Sequence, residues 1–280
     1  MDRFINYNGK IISSEEKIIT ANNRGFKYGD GIFETIRVAN ENIPLAALHF
    51  ERLFSSMRLL QFDIPAEFTK ENLIEQIIEL CKKNNHGKSA RVRLMIFRSD
   101  GMINGLSNNT PEFIIQTDHL PETSLYLNEE GFVTAVFPGG RKTCDIFSNI
   151  KSNNFLLYSM ASRYAHENNL NEAIILNSGE NICEGSVGNI FFIRNKTIYT
   201  PALSEGCVAG VMRKYLLQQL SSSGYKICEQ KCFVEDLKNA EEIFFTNAIN
   251  GIRWVKIFND REYGNAQTRQ LYDSFIKNLF

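Results

Sequence analysis

The stretch NSGENICEGSVGNIFFIRNKTIYTPALSEG, residues 177–206, sets the fold class of the chain. It reads as a turn, a short polar bridge, an apolar strand over Asn189–Arg194, a hairpin at Asn195–Lys196, a second strand, and a loop opened by Pro201. Glu184 sits between the turn and the strand with small residues around it. A carboxylate at that place is either a solvated edge residue or a buried group with a cationic partner, because an unpaired charge is expensive to remove from water. The rest of the chain has to supply the partner.

Working outward, strand and helix signals alternate on both sides. N-terminally, Asn8-Gly9 marks a hairpin, and IFETIRVANENIPL reads as a further strand pair. Ala47–Leu60 is an amphipathic helix with Leu53, Met57 and Leu60 on its apolar face. Thr69 caps a second helix running to Lys83. Strands at 90–97 and 112–117 flank a Gly/Asn-rich loop, 99–110, whose composition fits a lid. After Pro121 the pattern restarts: GFVTAVFP, a long loop, a helix over 153–168, the strands EAIILN and NIFFIRN, a helix over 211–222, the strand EEIFFTN and a last helix over 266–280. The fold class is α/β (α+β), with domains over 1–120 and 121–280 and a ligand cleft expected between them.

The 280 residues carry a formal charge of −1, 43% hydrophobic and 22% charged residues. That balance gives no electrostatic case for nucleic acid or for an anionic membrane. No apolar run approaches the roughly 20 residues of a spanning helix. The N-terminus lacks an apolar signal core, so a cytoplasmic protein is expected. The six cysteines contain no C-x-x-C, and the four histidines lie apart from them, so neither a disulfide framework nor a metal site is expected.

Several short segments fit either chemistry or plain architecture. RGFKYGDGIFETIRV (24–38) has three glycines within eight residues; it lets backbone approach a ligand, or simply turns into a strand. In HFERLFSS (49–56), His49, Arg52 and Ser56 fall on one helical stripe, taken to lie opposite the apolar face. Such a stripe is solvated, or its arginine binds phosphate or carboxylate. GCVAGVMRKYL (206–216) is a helix start and a ready anion site. Lys151, in SNIKSNNFLLYSMA (148–161), is a surface lysine or a desolvated amine able to form Schiff bases. FFTNAINGI (244–252) ends a strand in polar groups or in a plain turn. An aldehyde-trapping amine, a carboxylate and anion-binding elements are together the set that pyridoxal phosphate requires.

The chain resembles the class IV aminotransferases, the fold-type-IV pyridoxal phosphate enzymes, almost end to end. The matching strings are R-G-x-x-Y-G-D-G-x-F-E-T at 24–35, H-x-x-R-L at 49–53, K-x-x-N at 151–154, E-x-x-x-x-N-I-F at 184–191, T-P-x-L at 200–203, G-V-M-R at 210–213 and F-x-T-N-A at 244–248. The resemblance implies a small N-terminal α/β sandwich domain, a larger C-terminal pseudo-barrel domain that carries the lysine, pyridoxal 5′-phosphate as cofactor, an amino substrate, and a homodimer. It implies that Lys151 forms the Schiff base and moves protons, that Glu184 pairs with the ring nitrogen, and that Arg52 holds the phosphate with backbone N–H groups of Val211 and Met212. Asn247 and Ala248 form the other phosphate-facing turn, with alanine where relatives often carry a hydroxyl.

Substrate-binding candidates are Arg93, favoured over its strand-mate Arg91 and over Arg98, together with Tyr28 and Glu34. The loop RSDGMINGLSNN lacks the basic patch of the D-amino acid enzymes. The lysine-to-Asn154 spacing and the Thr-Asn-Ala motif resemble aminodeoxychorismate lyase. A branched-chain type transaminase using 2-oxoglutarate is the alternative, and a non-catalytic protein that binds a phosphorylated ligand is a remote third.

Overall fold

Asn8 and Gly9 both adopt positive φ, 49° and 86°, the backbone of a two-residue hairpin turn. The computed structural model describes residues 3–102 and 108–280. The turn joins β1 (Phe4–Tyr7) to β2 (Lys10–Ser13). There follow α1 (Arg24–Tyr28), β3 (Gly31–Ala39), α2 (Ala46–Leu59), α3 (Lys70–Lys83), β4 (Ser89–Arg98) and β5 (Pro111–His119). The five strands form one antiparallel sheet in the order β2-β1-β5-β4-β3. Helix α2 packs on β3, and α3 on β1 and β5. They bury Phe50, Leu53 and Met57 from α2 and Leu73, Ile77 and Leu80 from α3. As the sequence predicts, the Thr69 hydroxyl accepts the Asn72 N–H at 3.2 Å and starts α3.

The strand pair expected over IFETIRVANENIPL is a single strand. Asn40 and Glu41 turn with positive φ, one bridge forms between Ala39 and Asn42, and the chain passes directly into α2. The central part of the proposed lid, 103–107, lies outside the described residues.

The chain divides into two units, one formed by residues up to Glu122 together with Lys151–Asn154, the other by Thr123–Ile150 and Phe155–Phe280. Lys151, which the sequence analysis assigns to the C-terminal domain, thus packs with the N-terminal unit. The reason is an unfilled sheet edge: β3 is the last strand of its sheet, and edge N–H and C=O groups seek partners. Phe33 N–H donates to Lys151 O and Asn153 N–H to Gly31 O, each at 2.9 Å, and Ile32 bridges Ser152. These extended bonds also delay the following helix, expected from residue 153, to Leu156.

The second unit contains β6 (Phe132–Lys142), α4 (Leu156–Glu167), β7 (Glu172–Asn177), β8 (Ile182–Gly185), β9 (Asn189–Arg194), β10 (Thr197–Pro201), α5 (Val211–Ser222), β11 (Lys226–Gln230), α6 (Val234–Lys238), β12 (Glu242–Asn247), β13 (Gly251–Phe258), β14 (Arg261–Glu262) and α7 (Ala266–Phe275). Its mixed sheet runs β11-β10-β9-β12-β13-β6-β7-β8, with β14 on β13. Terminal β8 comes back beside β9 and β10, so the sheet curls into a pseudo-barrel. Ile174, Ile190, Phe192, Ile243, Phe245 and Val255 fill one core cluster. Ala161 and Ala165 bring α4 close against Ala173, Ile175 and Phe137.

Glu172, at the start of β7, is buried in this unit. Its Oε1 accepts the Ala173 N–H at 3.0 Å, the Ser186 N–H at 2.7 Å and the Ser186 hydroxyl. Oε2 is buried with no hydrogen-bond partner among the described residues. Burial outweighs the N–H donors and pushes the carboxyl up to about 7. The folded protein therefore keeps a proton there that the unfolded chain releases above about 4.5. That contribution to stability is complete below pH 4.5 and is lost as pH rises through about 7. Glu172→Gln is expected to flatten this part of the stability profile and to exceed wild type by about 3 kcal/mol at pH 8, read from urea denaturation midpoints.

Candidate active site

Glu34 and Phe33 are neighbours on β3, so their side chains leave opposite faces of the sheet. On the helix-covered face, the Glu34 carboxylate accepts Arg52 Nε on Oε1 at 2.7 Å and Arg52 Nη2 on Oε2 at 2.6 Å. His49 Nδ1 lies 2.7 Å from Oε2. Burial alone would raise the Glu34 carboxyl, but Arg52 and His49 outweigh it and hold it down at about 2. The His49-Arg52-Ser56 stripe is therefore not solvated: His49 and Ser56 are buried. At 100° per residue, 49, 53, 56 and 57 fall on one side of a helix, so the stripe adjoins the apolar face of α2 instead of opposing it.

On the other face, the Phe33 ring carries Lys151 Nζ at 4.5 Å and Arg93 Cζ at 3.9 Å from its centroid. The two cations are therefore no further apart than the sum of those distances. Burial, then repulsion from Arg91, lowers the Arg93 pKa, consistent with a guanidinium placed to receive an anion. The other arginine candidates are engaged elsewhere. Arg91 is exposed and pairs across the strands with Asp118 at 2.6 Å. Arg98 is buried, bonded to Asp30, Asn109 and the Leu60 carbonyl, and stacked on Phe62. Tyr28 is exposed at the end of α1, under Lys27. Gly29 has φ 66°, and a side chain there would strike Asn154 Oδ1, which ties the glycine-rich turn to the segment that carries Lys151.

In the second unit Glu184 is buried at the centre of β8. Lys142 Nζ lies 2.5 Å from Oε1, the Tyr158 hydroxyl donates to the same oxygen at 2.6 Å, and the Val208 N–H donates to Oε2 at 3.0 Å. Val208 stands just before α5, and its carbonyl accepts Asn189 Nδ2 at 2.9 Å. Asn189 faces Thr246 across β9 and β12, and a Cβ at Gly210, the N-cap of α5, would collide with its Oδ1. One chain of bonds thus fixes the carboxylate, the N-terminus of α5 at Val211 and Met212, and the end of β12. Asn247 Oδ1 accepts the N–H groups of Ile249 and Asn250, shaping the turn that holds Ala248. Thr246 Oγ1 is buried without a hydrogen-bond partner among the described residues.

Lys142, Tyr158, Val208 and Thr246 are absent from the sequence-derived site. Lys142 ends a strand whose register against β7 shifts between Val136 and Arg141, so alternation along β6 does not say where it points. A buried carboxylate at Glu184 demanded a cation, and that demand was the one usable signal.

The Amino-transferase class IV family profile matches residues 31–258, and the chain belongs to that family of pyridoxal phosphate enzymes, which act on small amino substrates. It is 28% identical to the aminodeoxychorismate lyase of Bacillus subtilis, over 97% of this chain and 94% of that one. It is 29% identical to the D-alanine aminotransferase of Staphylococcus haemolyticus, over 96% and 95%. The structure of the branched-chain aminotransferase from Thermoproteus uzoniensis with norvaline superposes with a TM-score of 0.89 at 24% identity, over 100% and 95% of the chains; at that identity the likeness is one of fold.

Glu34→Gln is expected to cost about 3 kcal/mol at pH 7, because it leaves the guanidinium and imidazole without their buried anion. The wild-type advantage is present above about pH 4.5 and shrinks as pH falls toward 2. Parallel urea titrations of the two proteins from pH 7 to pH 3 measure it.

Proposed function

We propose that this chain holds pyridoxal phosphate through Lys151, Glu184, Arg52 and the first turn of α5, and that it is an aminodeoxychorismate lyase. The observation that carries the cofactor reading is the buried Glu184 carboxylate, bonded to a backbone N–H of the loop that opens α5. The residues fit the group: α5 leaves N–H donors at its start, Thr246 offers an uncommitted buried hydroxyl at the strand end, and Glu34 orients Arg52 by accepting two of its N–H groups. When bound, this cofactor supplies an aldehyde for the substrate amine and a ring that accepts electrons from the adjacent carbon.

The chain's own residues do the rest. Lys151 would supply the amine that holds the aldehyde in the resting enzyme and, once the substrate amine has displaced it, would take the proton from the carbon that bears the substrate amino group. Arg93 binds a substrate carboxylate. The bond between the ring carbon and the ether oxygen of 4-amino-4-deoxychorismate would then break, enolpyruvate would leave with that oxygen and take up a proton as pyruvate, and the ring, having lost the proton taken by Lys151, would become aromatic as 4-aminobenzoate. Lys151-x-x-Asn154 and Thr246-Asn247-Ala248 favour the lyase, as does the end-to-end match to a lyase. The second reading is an amino acid transaminase of branched-chain type using 2-oxoglutarate, favoured by a 27% identity, over 96% of this chain, to a putative branched-chain-amino-acid aminotransferase of Methanocaldococcus jannaschii. We further infer a cytoplasmic homodimer. Its support is an apolar surface in the second unit: Leu156 and Met160 are exposed one turn apart on α4, with Ile146 and Phe147 exposed nearby in sequence. Sedimentation at micromolar concentration tests the dimer.

Purified protein is expected to be yellow, to lose that colour with borohydride, and to carry the reduced cofactor on Lys151 in a peptide map. Pyruvate released from aminodeoxychorismate without any keto acid marks the lyase. Glutamate formed from leucine and 2-oxoglutarate, with no pyruvate released, reverses the assignment. Arg93→Leu is expected to raise the KM for substrate roughly ten- to hundredfold while cofactor affinity stays within twofold of wild type, as measured by fluorescence titration.

A further inference from the structure

Lys142 has no part in the roles above, yet it is in direct contact with Glu184. Its Nζ lies 2.5 Å from Oε1, with the lysine side chain 10% and the carboxylate side chain 4% exposed. Nζ also hydrogen-bonds the Tyr158 hydroxyl, which donates to that same oxygen at 2.6 Å. The Tyr158 ring is stacked on Phe155 with centroids 4.7 Å apart, so the hydroxyl is held in place. Three elements, β6, α4 and β8, meet at one carboxylate oxygen.

The phenol and thiols around Glu184 are neutral at ordinary pH, and the charged groups nearby have partners of their own. Burial, reinforced by the Glu184 charge, pushes the Tyr158 phenol and the Cys183 thiol far up, and the Cys207 thiol up to about 12. Arg213 donates to the Pro201 carbonyl and to Glu229. Glu205 accepts Asn177 and Asn181. Lys142 is thus a cation bonded directly to the Glu184 carboxylate.

We propose that Lys142 is a positioning and tuning residue for Glu184: with Tyr158 it locks Oε1, and by sharing the negative charge it loosens the hold of that acid on the proton of the cofactor's ring nitrogen. This rests on the reading that Glu184 serves the ring nitrogen. A carboxylate next to a pyridinium favours the protonated ring, and a second cation on the same carboxylate repels it. Lys142 thus sets how strongly the ring is held as an electron acceptor, without touching the reacting atoms.

The test uses cofactor-free wild type, Lys142→Met, Lys142→Gln and Lys142→Arg. Each is saturated with nitrogen-15-labelled 4-deoxypyridoxine phosphate, which lacks the aldehyde and so binds independently of Lys151 chemistry. The ring-nitrogen NMR shift is followed against pH. In Lys142→Met the ring is expected to keep its proton to a pH at least about one unit higher than in wild type. Lys142→Arg is expected to match wild type. Lys142→Gln keeps a donor on Oε1 and removes only the charge. It is expected to show the same upward shift, and it decides the matter if the methionine variant fails to fold. Identical titration of wild type and the uncharged variants overturns this proposal alone. A wild-type protein that does not bind the analogue overturns the cofactor reading with it.

Discussion

Glu184 is a carboxylate out of water, and the second unit is arranged around making that tolerable. An ion in a protein interior loses its hydration, and the loss is recovered only by a cation and N–H or O–H donors in good geometry. Here the donors are Lys142, Tyr158 and the Val208 N–H. Each comes from a different piece of chain, so satisfying one acid fixes the end of β6, the first turns of α4 and the loop into α5 against β8. The same loop is fixed from its far side by Asn189. A carboxylate and a helix N-terminus are thereby held in one rigid arrangement, which suits an aromatic ring with a basic nitrogen and an anionic substituent.

Two other buried glutamates show how far surroundings decide the state of the same side chain. Glu34 has a guanidinium and an imidazole and stays ionised to about pH 2. Glu172 has a hydroxyl and backbone N–H groups but no cation, and burial lifts it to about 7. The difference is charge compensation, since both are completely buried. Glu34 spends its compensation on orienting Arg52, so the acid in the F-E-T string acts on its partner arginine; both of its oxygens are already bonded within the first unit.

Much of the fold was legible in the sequence because it follows from local rules. Asn8-Gly9 turns as its residue types require, and Asn195-Lys196 turns at the expected place, with positive φ at all four. Thr69 caps α3, and α5 spans the predicted residues. The short β8 and the strand β13 were not legible. In β8 every residue is buried but only four are present, too few for a periodic signal. In β13 the glycine after a polar turn hid a strand whose first five residues are all buried. The burial of His49 was misread because a helical stripe was judged by polarity when its angular position beside Leu53 and Met57 already placed it inward.

The order of the motifs, from the glycine-rich turn near Tyr28 to the Thr-Asn-Ala turn at 246–248, was determined by the sequence alone, and with it the family and the residue types a cofactor would need. The tertiary structure decided which cation answers which acid. Arg52 went to Glu34, Arg98 to Asp30, and Lys142, unmarked by any motif, to Glu184. It also decided that Lys151 is carried by the free edge of β3. Such pairings join residues far apart in the chain across irregular register, and the energy that selects them is desolvation, which depends on what surrounds a charge in space and has no signature in local sequence.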